Sequence, residues 1–230
     1  MRVGIICACD NELAPFLSVM DCDKVSERAK LKFYEGTINH IDVVALFSGV
    51  CKVNAAIAAQ ILIDTYETDA IINAGTAGGM NPDLKVYDSV ISTEVAYHDV
   101  VSSILTEFHP YMDSQYFEAD PKLLNLSRTA VNRVNDKGSV YWGRMVTGEA
   151  FIEEEGRQAI IERYNPLSVD METASIAHVC YVNGIPFIAI RSITDTAEHK
   201  GSAYFEANRE KASRIAMNLT VALLAELGDR

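Results

Sequence analysis

The stretch SVDMETASIAHVCYVNGIPFIAIRSITDTA, Ser168 to Ala197, decides how this chain is read. Val169 marks the end of a buried strand. Ala174, Ile176, Ala177, Val179 and Cys180 recur at the 3.6-residue period of an apolar helix face, which predicts a helix from Thr173 to Val182. Gly184-Ile185-Pro186 is a turn, and the apolar run that follows predicts a second buried strand, Phe187 to Ile193. Each strand finishes by delivering an acid: Asp170 and Glu172 after the first, Asp195 after the second. In an open parallel α/β sheet the carboxyl ends of the strands line the ligand crevice. Carboxylates delivered there, with Arg191 and Thr194 beside them, read as an active-site rim. A plainer use stands next to it, because Asp170 or Asp195 would also make a good N-cap for the next helix.

Outward from this stretch the same alternation continues. Val3 to Ala8 is an unbroken apolar run, the mark of a strand covered on both faces. Asp10 opens a helix with Glu12 in its first turn, where the helix dipole favours negative charge. Leu31 to Ile38 and Ile41 to Phe47 form a hairpin turning at Asn39-His40, and Cys51 to Tyr66 is an Ala/Ile-rich helix. Ala70 to Ala74 is a buried strand that runs into Gly75-Thr76-Ala77-Gly78-Gly79, and Val86 to Tyr97 is a long strand. Val100 to Asp120 shows no clear period but carries Phe108, Tyr111, Tyr116 and Phe117, which suits a lid or a contact with a partner subunit. Pro121 to Val134 is an amphipathic helix with Pro near its start. Gly138 to Val146 is a strand, Glu153 to Tyr164 a charged helix, and Phe205 to Leu227 a long closing helix. The expected fold is a single three-layer α/β/α domain spanning residues 1–230.

Composition narrows the function. About half of the 230 residues are hydrophobic (49%), enough for one large core. A formal net charge of −12 and a pI near 4.8 exclude the basic footprint of a nucleic-acid surface, while leaving a neutral nucleoside free to bind in a pocket. No apolar run is long enough to span a membrane. The opening MRVGIICACDNE reads as a first strand, not a secretion signal, because acids follow its short apolar run at once. Five cysteines (Cys7, Cys9, Cys22, Cys51, Cys180) lack paired zinc spacing and fit reduced thiols in a cytoplasmic protein. No His or acid cluster has metal-ligand spacing, so neither a metal nor a cofactor is expected. Gly75 to Gly79 has no following Lys and no GxGxxG spacing, which argues against a phosphate or dinucleotide loop.

Seven motifs, in order along nearly the whole chain, carry a family resemblance: GIICACDNEL, SGVCKVNAA, INAGTAGG, YHD at Tyr97 to Asp99, VTGEAFI, VDMETASIAHVC and RSITDTA. The sequence resembles the 5'-methylthioadenosine/S-adenosylhomocysteine nucleosidases of the nucleoside phosphorylase and nucleosidase superfamily. The resemblance implies a twisted mixed sheet flanked by helices, a homodimer, and hydrolysis of an N-glycosidic bond that releases adenine and a 5-thio-substituted ribose. Such a reaction needs one acid facing the purine and one base facing the far side of the ribose, where water captures an oxocarbenium-like sugar. By resemblance Asp195 is the acid at adenine N7 and Glu12 the base. Glu172 accepts the ribose hydroxyls, Met171 packs beneath the sugar, and Arg191 holds the acids. Thr76, Ala77 and Gly78 lie against purine and ribose, Phe151 stacks on adenine and the Ile152 backbone bonds its edge. Phe205 covers the 5' side, and Cys9, Val50 and Ala197 complete the substrate wall. His98-Asp99 and His178 are read as structural.

Three departures bear on the substrate. Cys9 and Val50 replace bulkier Met and Ile, Thr76 replaces Ser, and VVSSILTEFHPYMD (100–113) replaces a Phe-Gly-Tyr segment that covers the 5' group across the dimer in relatives. The choice among methylthioadenosine, S-adenosylhomocysteine, 5'-deoxyadenosine and aminodeoxyfutalosine therefore stays open. A phosphorylase is the enzymatic rival. It needs arginines aimed at the ribose, and Arg28 is the one Arg between Gly4 and Gly79.

Overall fold

The computed structural model describes residues 1–135 and 137–228. Strand β1 (Arg2–Cys7) leads into α1 (Asp10–Leu17), and an antiparallel meander follows, β2 (Asp21–Arg28), β3 (Leu31–Ile38) and β4 (Ile41–Phe47). Helix α2 (Lys52–Tyr66) returns the chain to β5 (Ala70–Gly79), and β6 (Ser89–Tyr97), α3 (Ser102–Glu107) and β7 (Phe117–Glu118) come next. The second half runs α4 (Pro121–Ala130), β8 (Val140–Thr147), α5 (Arg157–Tyr164), β9 (Ser168–Asp170), α6 (Thr173–Asn183), β10 (Phe187–Asp195) and α7 (Ser202–Gly228). A mixed sheet flanked by helices is thus the observed architecture, as the sequence implies.

The sheet does more than twist. β1, β4, β5 and β10 run parallel, but β10 also pairs antiparallel with β6, β6 pairs parallel with β8, β8 parallel with β9, and β9 antiparallel with β5. The strands β5, β10, β6, β8 and β9 therefore close a ring, and β1, β4, β3 and β2 extend from it as an open wing. Along β1 the side chains alternate as a pleat requires: Val3, Ile5 and Cys7 face a core built with α1, α4 and α7, while Ile6 faces one built with α2 and α6. Two-sided burial explains why β1, β5 and β10 read as continuous apolar runs.

Several expectations shift. β2, DCDKVSER, went unrecognised because it is an edge strand whose side chains are largely exposed, so it carries no hydrophobic alternation. It is tied in by a two-residue turn, Ala29-Lys30, with φ of 51° and 62°, the same left-handed pair as Asn39-His40 (49° and 63°). β5 does not stop at Ala74 but stays extended through the glycines to Gly79. The aperiodic stretch after Val100 contains a short helix, α3, and a strand, β7. No side chain of α3 is buried, so it shows no amphipathic period.

Candidate active site

The carboxyl ends of β1, β5 and β10, with the loop after β9, surround one cavity of about 440 Å³, a size that suits a small-molecule ligand. Parallel pairing puts the ends of β1, β5 and β10 on the same edge of the sheet and brings Glu12 and Asp195 together, while the antiparallel pairing of β9 with β5 at Gly78 brings Glu172 to the same wall. At its heart is Arg191, 1% exposed, from the middle of β10. Its guanidinium lies 3.3 Å from Glu172 Oε2, 3.6 Å from Asp170 Oδ2 and 3.8 Å from Glu12 Oε1. It donates further bonds to Asn73 Oδ1 (2.8 Å), the Thr76 carbonyl (3.0 Å) and Thr173 Oγ1 (3.2 Å). Three buried carboxylates thus face one buried cation. Asn73, which the sequence reading passed over, fixes this arrangement by accepting from Arg191 and Thr173 while donating to the Ile6 carbonyl at 2.9 Å.

Each acid is held differently. Glu12 Oε1 accepts from the Thr76 N–H (2.7 Å) and hydroxyl (2.8 Å), and Oε2 accepts from the Ala8 N–H (2.7 Å). Thr76 therefore turns its side chain to the acid. Gly75 explains the close fit, since a Cβ there would sit 2.5 Å from the Glu12 carboxylate. Glu172 Oε1 accepts from the Cys51 N–H at 3.0 Å, and burial pushes its carboxyl up to about 7 against the pull of Arg191. Asp170 follows the capping alternative: Oδ1 accepts the N–H groups of Glu172 (3.0 Å) and Thr173 (2.9 Å) at the start of α6, plus the Thr147 hydroxyl (2.7 Å).

Asp195 caps nothing. It is 2% exposed, at a register slip between Ile193 and Asp195 where β10 meets Gly78, and such bulges re-aim a side chain. The Thr194 hydroxyl donates to Oδ1 at 2.8 Å, and a Cβ on Gly78 would lie 3.1 Å from Oδ2. Burial raises its carboxyl above the usual range, opposed by the Thr194 bond and by the Arg157 guanidinium. Arg157 is buried, donates to the Gly79 carbonyl, and was not picked out from sequence because α5 reads as an exposed charged helix.

The remaining wall is mixed. Cys9, Val50, Ala77, Gly78, Phe151, Met171 and Phe205 line the cavity, and Phe151 meets Phe205 edge-on at 6.2 Å between ring centroids. Ile152 lies in an adjoining recess with Asp195, Val169 and Met171. Ala197 is a correction: it is exposed in the loop past the end of β10 and lines neither space. Asp10, Asn11, Ser202, Glu206 and Arg209 also line the cavity and were missed, since polar residues on exposed helix turns give no sequence signal. Asp99 accepts from Lys52 Nζ (2.9 Å) and the Glu149 N–H (2.9 Å), so Asp99 fastens α2 to the loop after β8. Among the described residues no group of three or more His, Cys, Asp and Glu is arranged to hold a metal.

Removing the central cation should be costly. Arg191→Met leaves three buried carboxylates without their counter-charge, and the expected loss is about 3–5 kcal/mol in urea unfolding at neutral pH. The loss should shrink as the medium is acidified and the carboxylates take up protons.

A model of the phosphorylase superfamily matches residues 2–225. The 5'-methylthioadenosine/S-adenosylhomocysteine nucleosidase of Exiguobacterium sp. strain AT1b is 38% identical, with 99% of each chain covered. A crystal structure of the Colwellia psychrerythraea 34H enzyme of that name, in complex with adenine, superposes with a TM-score of 0.91 at 31% identity, covering 99% of this chain and 96% of that one. The Neisseria meningitidis enzyme in complex with methylthio-immucillin-A gives 0.89 at 28% identity, covering 97% and 98%. With the parallel strand ends, the acid cluster and these likenesses in agreement, the chain belongs to the 5'-methylthioadenosine/S-adenosylhomocysteine nucleosidase family of the phosphorylase superfamily.

Proposed function

We propose that this protein hydrolyses the N-glycosidic bond of 5'-methylthioadenosine and S-adenosylhomocysteine, releasing adenine and the 5-thio-substituted ribose. The observation that carries the reading is that Asp195 and Glu12 open onto the same cavity from separate strand ends.

Asp195, whose carboxyl burial raises above its usual range, gives a proton to adenine N7 as the C1'–N9 bond breaks and its electron pair passes to the base. Glu172 accepts hydrogen bonds from the ribose 2'- and 3'-hydroxyls. The excess of carboxylates over Arg191 stabilises the positive charge that develops on the sugar. Glu12 takes a proton from water while the water oxygen bonds to C1'. Phe151 stacks on the base, the Ile152 backbone meets its edge, and Cys9, Val50, Met171 and Phe205 enclose the sugar and its 5' sulfur.

Water is favoured over phosphate by charge. Arg28 is exposed at the end of β2, Arg191 is held among the buried acids, and Arg209 stands on the outer wall of the cavity in an exposed pair with Glu206 on α7. A phosphate dianion would meet acids where it needs cations. Adenine should therefore appear at the same rate in phosphate-free buffer, and Asp195→Asn should lower kcat by about a hundredfold or more. Strict dependence on phosphate would make the protein a phosphorylase.

The pH profile tests Glu172. As a carboxylate it accepts from both ribose hydroxyls, whereas protonation turns one of its oxygens into a donor, and burial pushes its carboxyl up to about 7. kcat/KM should then fall as the pH is lowered through about 7, with unit slope in a log plot. A flat profile across that range would remove Glu172 from this role.

The reading also makes residues 1–230 one nucleosidase domain and the enzyme a cytoplasmic homodimer. All five cysteines are free, and no helix of the described residues is long and apolar enough to cross a membrane. Val50 at the cavity lip and Val53 and Ile57 on α2 are 46%, 69% and 43% exposed, and Val53 and Ile57, at i, i+4 on the helix, give an apolar face that a second copy would cover. Light scattering should give twice the 25.3 kDa chain mass, and Ile57→Glu should shift the protein to monomer.

A further inference from the structure

The outer wall of the cavity carries charge that the reaction at C1' does not use. On α7, Glu206 and Arg209 follow Phe205 around the next helical turn, and both line the cavity. Asp10 and Asn11, at the start of α1, line it as well. Arg209 Nη2 lies 3.1 Å from Glu206 Oε2, and Nη1 donates to Oε1 at 3.2 Å. The pair is exposed to solvent, with side chains 36% and 56% accessible, so it contributes little to the helix and opens at small cost.

We infer that Arg209 and Glu206 form the recognition site for an α-amino-acid group carried on the 5' sulfur of the nucleoside. The guanidinium takes the α-carboxylate, and the Glu206 and Asp10 carboxylates take the α-ammonium. This rests on the nucleosidase reading above and adds to it a reason for preferring one kind of 5' tail.

Three features support the assignment. The first is position. Base and diol occupy the buried end with Asp195 and Glu172, so the 5' tail leaves along the exposed wall between α1 and α7. The second is reach. Phe205 covers the sulfur, and Arg209 lies four residues on, roughly 6 Å along the helix axis. The α-carboxylate of a homocysteinyl tail lies roughly 5 Å from its sulfur, four bonds of about 1.5 Å each with their zigzag. A methyl tail ends before the pair. The third is charge. The chain carries a net −12, and the cavity interior holds an excess of carboxylates. The tail is zwitterionic, and in a cavity lined by acids its carboxylate needs a cation of its own; Arg209 is the wall cation left for it because Arg191 is buried among the acids. A guanidinium facing a carboxylate matches it with paired donors, which a point charge does not.

The test compares kcat/KM for S-adenosylhomocysteine, 5'-methylthioadenosine and 5'-butylthio-5'-deoxyadenosine, the last giving a neutral tail of similar length. In Arg209→Leu, the ratio for S-adenosylhomocysteine over the butylthio compound should fall about five- to tenfold, with partial recovery in Arg209→Lys. High salt should compress the same ratio in the unaltered enzyme but not in Arg209→Leu. A ratio that stays within about twofold of the unaltered enzyme's in both variants, or that ignores salt, overturns the assignment. These outcomes separate the two readings: release of adenine from the neutral nucleosides with an unmoved ratio ends the tail site alone, whereas no adenine from any of the three ends the nucleosidase reading and the tail site with it. Circular dichroism of the variants confirms that α7 is intact.

Discussion

Everything in the active cavity depends on a single buried guanidinium. Arg191 comes from the centre of β10 almost wholly shut off from solvent, where an unpaired cation would be prohibitively costly. It is tolerated because Glu12 from the end of β1 and Asp170 and Glu172 from the end of β9 converge on it, and Asn73, Thr76 and Thr173 satisfy its remaining donors. The dependence runs both ways: without the cation, three carboxylates could not be buried together. The cluster is therefore a structural keystone that is also strongly negative, and a negative, water-poor wall is what a cationic ribosyl transition state requires.

The glycines of β5 serve the same arrangement. Glycine-rich loops usually attract a phosphate interpretation, yet here the segment is a strand and its glycines make room for acids. Gly75 lets the Glu12 carboxylate lie against the backbone and Gly78 does the same for Asp195, so the two groups assigned opposite roles are both set by missing side chains on one strand. The closed ring of β5, β10, β6, β8 and β9 brings the loop after β9, with Met171 and Glu172, over the same strand end. The pocket's geometry is thus a consequence of sheet closure, and its electrostatics follow from what the closure buries.

The limits of the sequence reading have physical causes. Elements with a buried face were legible: β1, α2, β10, α6 and α7 all announced themselves by apolar runs or periods. Elements without one were not, which is why the exposed edge strand β2 and the surface helix α3 went unseen. Among the candidate residues, Asp170 and Asp195 looked alike, each an acid after a buried strand. Only coordinates separate them, Asp170 bonded to the start of α6 and Asp195 turned into the cavity by a bulge. Ala197, placed in the wall by resemblance, lies where the chain has already left the sheet.

What the sequence determined by itself was the α/β class, the order of most elements, the family, and the acids at the strand ends, because hydrophobic period and short motifs are local properties. What the tertiary structure decided was which of those acids meet, how each is charged, and which wall faces solvent. Those depend on burial and on partners more than a hundred residues away, such as Arg191 beside Thr76 or Glu172 beneath Cys51. Burial and long-range pairing set the energy of a charge, and no local pattern of residues records them.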